Sequence, residues 1–153
     1  MKIAELLHEE NVVAEISARN KGDALSELAG KMVELHPKVN RDALMKTLLE
    51  RERLGSTGIG DGVAISHGKS QEMKELALVF GRSRTGVEFD SMDGKPVHLI
   101  FLLVAPEESV GEHLKVLARI SKLLKNPETR QKLLDASGPA EICATVASEE
   151  AKL

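Results

Sequence analysis

The run Gly55-Ser56-Thr57-Gly58-Ile59-Gly60-Asp61-Gly62-Val63-Ala64-Ile65-Ser66-His67-Gly68-Lys69 is where this chain concentrates residues capable of chemistry. Four glycines fall within eight positions, an apolar run follows, and a histidine then stands between Ser66 and Gly68. Glycine lets backbone approach a ligand closely or turn with positive φ at no steric cost. A phosphate-binding loop is the first chemistry to test, because Gly68-Lys69-Ser70 has the ending of one. That motif needs a second glycine five residues earlier, where this chain has Val63, and Gly62 is one residue too far away. Neither Ser56 nor Ser66 lies in the G-x-S-x-G frame of a serine nucleophile. His98 and His113 have no local ligand spacing or cysteine support for zinc.

His67 remains as a nucleophile. A neutral imidazole, with an ordinary pKa of about 6.5, can attack phosphorus at neutral pH. The phosphohistidine so formed needs cations or hydrogen-bond donors around its oxygens and little else. Arg51, seven residues after Leu44 and three after Leu48, falls at the edge of a helical stripe just before the glycine run. His113 falls in the first turn of a helix whose Leu117, Ile120 and Leu124 face inward, where free amides favour an anion. Each also has a structural reading: Arg51 as a cation complementing a helix end, His113 as a hydrogen-bonded histidine at the core edge. His98, inside an apolar strand, reads as a satisfied structural histidine, and His8 and His36 as surface residues.

The elements that position these residues are legible in outline. Asn20 with Asp23 three positions on, then Ala24, Leu25, Leu28, Ala29, Met32 and Val33, marks a capped helix that stops near Pro37. Asn40 opens a second helix with Leu44, Met45, Leu48 and Leu49 inward and Gly55 just past its end. Leu76 to Phe80 reads as a strand, and Val97 to Ala105 as a strand buried on both faces. Asp93-Gly94 between them signals a turn in a short hairpin around Val87 to Phe89. Three helices follow, one after the capping box Ser109-Val110-Gly111-Glu112, the others opening at Asn126-Pro127 and Gly138-Pro139. The expected fold class is α/β: residues 1–153 as a single domain, a mixed β-sheet flanked by helices on both sides.

Composition narrows the function classes. With 2% aromatic residues, no Trp and no Tyr, the core is aliphatic and base-stacking platforms are nearly absent. A net charge of −3 argues against a nucleic-acid footprint. The single cysteine, Cys143, excludes an internal disulfide and reads as a small hydrophobe. No signal peptide and no run of about 18 apolar residues is present, so a cytoplasmic location without membrane insertion is expected.

The segment Arg51 to Gly60 running into Val63-Ala64-Ile65-Ser66-His67-Gly68 resembles the active-site signature of the fructose/mannitol-type enzyme IIA domains of the phosphoenolpyruvate-dependent phosphotransferase system. Pro96 to Leu103, Ala105-Pro106 and Glu112-His113-Leu114 resemble that family's second signature. Within the family, Gly-Ser-Thr-Gly-Ile-Gly and the acidic Pro106-Glu107-Glu108 segment are more similar to the nitrogen-related IIA branch. The resemblance implies that His67 accepts the phosphoryl group of an HPr-like phosphocarrier protein, that His113 is the second active-site histidine and that Arg51 steadies the phosphoryl group. It implies a loop of Ser56, Thr57, Gly58 and Ser66 around the phosphoryl, no cofactor and no metal. The implied role is a regulator that binds a target protein according to its phosphorylation state. The alternatives are a sugar-import component that passes phosphate to a IIB domain, and an interaction module that is not phosphorylated. One departure stands out: the family usually has proline before the active histidine, and here Ser66 frees φ and adds a hydroxyl able to bond the ring or a phosphoryl oxygen.

Overall fold

An almost unbroken apolar strand is stable only where both of its faces are covered. Val97–Pro106 (β5) is such a strand, and every residue but His98 is buried. The computed structural model, which describes residues 1–153, places it at the centre of a five-stranded mixed sheet. The other strands are β1 (Val12–Val13), β2 (Gly58–Gly60), β3 (Val63–Ser70) and β4 (Ala77–Val87), in the order β1-β4-β5-β3-β2. β3 runs parallel to β5, with His67 opposite Leu103, and β4 runs antiparallel to β5.

Side chains alternate across a sheet, and this alternation sorts the core into two layers. Val63, Ile65, Leu99, Phe101 and Leu103 face α1 (Ile3–Leu6), α4 (Glu112–Leu124), α5 (Pro127–Asp135) and α6 (Pro139–Glu150). Ala64, Ile100, Leu102 and Val104 face α2 (Lys21–Leu35) and α3 (Arg41–Arg53). The predicted caps are in place: the side-chain oxygens of Asn20, Asn40 and Asn126 accept from the amides of Asp23, Ala43 and Glu128. Glu150 of α6 accepts from the amides of Ile3 and Ala4 and from Arg119, which fastens α1 and α4 to the same helix.

Three expectations are corrected. The glycine run is not all loop: Gly58–Gly60 and Val63–Ser70 form a hairpin, closed by Asp61 and Gly62 with φ 58° and 76°. Positive φ at both central residues is the mark of the tight hairpin turn that matches strand twist. The turn at Asp93-Gly94 does lie in a hairpin connection, but the strands it joins are β4, which continues to Val87, and β5, which begins at Val97, and Phe89 lies outside the strand. Ser109 does not cap α4, whose N-cap is Gly111 with no side-chain bond.

The segment after β4 holds the glycine run in place. Ser56 Oγ donates to the Phe89 carbonyl, Met92 N–H donates to the Gly58 carbonyl, and Asp61 N–H donates to Asp93. A Cβ at Gly58 would lie 2.9 Å from Ser91 Oγ and 3.1 Å from Ser91 Cα, so only glycine fits between the two segments. Gly58→Ala is expected to cost about 1–3 kcal/mol in a urea or thermal unfolding measurement, the usual penalty of forced overpacking. An unchanged midpoint would mean that the segments do not press on each other.

Candidate active site

His67 lies near the C-terminal end of β3, past the point where three-residue β2 covers that strand's outer edge. The ring is half-buried. Its Nδ1 is sealed from solvent and makes no well-formed hydrogen bond, although the Ile65 carbonyl acts on the ring, which leaves Nε2 as the nitrogen with an outward path. Burial holds the ring below the usual histidine pKa, and the positive charges of Arg51 and then His113 lower it further. The Ile65 carbonyl and the Glu52 carboxylate act weakly in the opposite direction. The three residues singled out in the sequence are thus electrostatically one group.

Arg51 arrives from the last turn of α3, and its Nη1 donates to the Gly55 carbonyl at 2.9 Å. That bond is the helix-end role expected of a terminal cation. The same guanidinium is also felt at His67, so both readings of Arg51 hold. His113 arrives from the first turn of α4, with its Nδ1 3.0 Å from Ser109 Oγ. The buried stripe beneath it is Val116, Ile120, Leu123 and Leu124, with Leu117 partly covered. His98 is structural: its Nδ1 lies 2.8 Å from the Ser83 carbonyl.

Glu52 is the residue that sequence reasoning missed. Between two arginines at a helix end it has the appearance of a surface charge, yet its side chain is 5% exposed. It accepts from Thr57 N–H at 3.1 Å and Thr57 Oγ1–H at 2.6 Å, and Lys21 Nζ stands 3.1 Å away. Lys21 also lies 5.4 Å from the centroid of the Phe89 ring. A buried carboxylate persists only when paired and hydrogen-bonded, and here that pairing fixes the start of the glycine run against α2 and α3.

The expected phosphoryl loop is mostly occupied with itself. The Ser56 hydroxyl, the Thr57 hydroxyl and amide, and the Gly58 amide are all spent on protein partners. Ser66 is fully buried and follows Ala64 and Gly68 toward the α2–α3 layer, where a Cβ at Gly68 would meet Thr47 and Leu48. Its hydroxyl has no partner and leaves the strand on the face opposite the His67 ring, so no bond to that ring forms. Adjacent strand residues point to opposite faces.

The site is thus a half-buried histidine on an α/β sheet, under the electrostatic influence of Arg51 and His113. Residues 5–149 match the family described as "Phosphoenolpyruvate-dependent sugar phosphotransferase system, EIIA 2". The chain is 43% identical to the nitrogen regulatory protein of Bradyrhizobium diazoefficiens over 133 residues, covering 87% of this chain and 86% of that one. It is 38% identical to the fructose-specific EIIABC component of Bacillus subtilis over 89% of its own length but 21% of that longer chain. The crystal structure of nitrogen regulatory protein IIA-Ntr from Neisseria meningitidis superposes with a TM-score of 0.87 at 35% identity, covering 94% of this chain and 98% of that one. This chain therefore belongs to the EIIA type-2 family of the phosphotransferase system, which fulfils the expectation of both family and fold.

Two outcomes check the site. Ring NMR titration should place the His67 midpoint below that of a free histidine, and Arg51→Gln should raise it by removing a positive neighbour; a midpoint unmoved by that change would separate Arg51 from the site. The depressed value also carries a sign for stability. The unfolded chain binds the proton more tightly, so stability present above pH 6.5 is lost as pH falls through the folded-state midpoint. Ser66→Ala removes an unpartnered hydroxyl and should be neutral or stabilising by up to about 1 kcal/mol, with the His67 titration unchanged.

Proposed function

We propose that the protein is a phosphohistidine carrier, with His67 Nε2 as acceptor, an HPr-like phosphoprotein as donor, and Arg51 and His113 as the groups that hold the phosphoryl oxygens. The supporting observation is the sealed Nδ1 of a ring whose pKa is lowered by burial, Arg51 and His113. Lowering favours the neutral ring, and with its one proton on Nδ1 the outward Nε2 offers the lone pair that a nucleophile requires. The Nε2 lone pair attacks phosphorus as the donor's P–N bond breaks, and that bond's electrons return to the donor imidazole. One imidazole replaces another, so no cofactor is needed to drive the step. The groups that disfavour a proton on the ring can favour the phosphoryl that replaces it, Arg51 by its charge and His113 as an N–H donor.

A protein donor suits the surroundings. Leu54, three residues past Arg51, is 85% exposed, and Val110 and Leu114 beside His113 are 92% and 56% exposed. Exposed apolar side chains grouped around polar chemistry are a feature of protein-binding surfaces. The nitrogen-regulatory relatives favour a regulator whose binding to a target protein follows its phosphorylation state. The fructose-specific relative supports a second reading, transfer onward to a IIB domain.

Incubation with phosphoenolpyruvate, the first enzyme of the system and an HPr-like carrier should give an acid-labile phosphoprotein. His67→Ala should abolish the label, and Arg51→Gln should slow labelling by about tenfold or more. Persistent labelling of His67→Ala would overturn the assignment. Discharge of the labelled protein by a fructose-type IIB domain would favour the second reading over the regulatory one.

A further inference from the structure

Ser109 lies two residues before the N-cap of α4, and its hydroxyl contacts His113 Nδ1 at 3.0 Å instead of capping the helix. Its carbonyl accepts from Lys69 Nζ at 3.0 Å. Lys69 is two residues beyond His67 on β3, so both side chains leave the same face of the strand. The Ser109 N–H donates to the Pro106 carbonyl at the end of β5. Ser109 is thus held by two adjacent strands of the sheet, one of them carrying His67, and it touches the ring of the second histidine.

We infer that Ser109 is a positioning residue that sets the tautomer of His113. The inference rests on the reading of His113 as a group that holds the phosphoryl oxygens. A serine hydroxyl can donate or accept. When Ser109 Oγ–H donates to Nδ1, the His113 proton resides on Nε2 and the ring offers an N–H donor outward. When Oγ accepts from Nδ1–H, Nε2 offers a lone pair, which a phosphoryl dianion repels. A phosphoryl group on His67 therefore selects the first arrangement. Lys69 and Pro106 fix the serine backbone beforehand, so the hydroxyl needs only to rotate. This role explains why a residue with the sequence signature of an N-cap sits outside the helix: its oxygen is directed at a ring nitrogen and not at a helix amide.

The test compares the unaltered protein with Ser109→Ala and Ser109→Thr. Two measurements are made: ring ¹⁵N shifts of His113 in the unphosphorylated and phosphorylated protein, and the rate of phosphoryl transfer from an HPr-like carrier. Ser109→Ala should move the His113 ring nitrogens toward a mixture of tautomers and slow transfer by about fivefold, the worth of one ordinary hydrogen bond. Ser109→Thr, which keeps the hydroxyl, should restore both. His113 shifts identical in the unaltered protein and Ser109→Ala would overturn the inference, as would a slower rate in Ser109→Ala with unmoved shifts. Failure of the unaltered protein to accept phosphate would defeat the carrier reading alone, because the spectra of the unphosphorylated protein still decide whether Ser109 sets the tautomer.

Discussion

A ring nitrogen attacks phosphorus only while it is unprotonated, yet the phosphoryl group it acquires is comfortable only among cations and donors. Both demands fall on His67, and a single arrangement meets them. Burying one side of the ring and placing Arg51 and His113 nearby raises the cost of a proton on it. In the proposed role the same two groups would hold the phosphoryl group on that ring. The rest of the fold serves to bring Arg51 and His113 from distant parts of the sequence within electrostatic reach of one imidazole without sealing its outer nitrogen.

β5 makes that convergence possible. As a fully covered central strand it fixes β3 in parallel register beside it, and with it the height of His67 relative to the helices. α3 packs on one face of the sheet and carries Arg51 in its last turn, while α4 packs on the other and carries His113 in its first. Between the helix end and the strand, the Glu52–Thr57–Lys21 group converts what would be a free glycine linker into a fixed path. The glycines therefore act chiefly in shape: a tight turn at Gly62 and close approach to Ser91 at Gly58. Little of their backbone is left over to bind phosphate.

Most of the architecture was readable from local signals, because caps, apolar runs and proline positions are local physics. The asparagine caps at 20, 40 and 126 and the central strand at 97–106 fall where those signals place them. His67 stands out from its neighbours and Arg51 and His113 from helical position, and in the fold the latter two act electrostatically on the first. The β2–β3 hairpin is not legible, although Asp61-Gly62 between Ile59 and Val63 carries a hairpin signal that the density of glycines obscures. The burial of Glu52 and the direction of Ser66 are not legible for a different reason. Whether a charge at a helix end is buried, and which way a strand residue points, depend on segments that meet it only in the folded chain. Ser66 changes the family's usual residue on the face of the sheet away from the chemistry, which confines its influence on His67 to the backbone.

The proposed carrier role requires the phosphoryl group on one particular atom. Uniformly ¹⁵N-labelled protein, phosphorylated through an HPr-like carrier and observed by ³¹P and ring ¹⁵N NMR, measures this directly. A one-bond phosphorus coupling at His67 Nε2, with Nδ1 uncoupled, is the predicted result. Coupling at Nδ1 of His67, or at a nitrogen of His113, would contradict it.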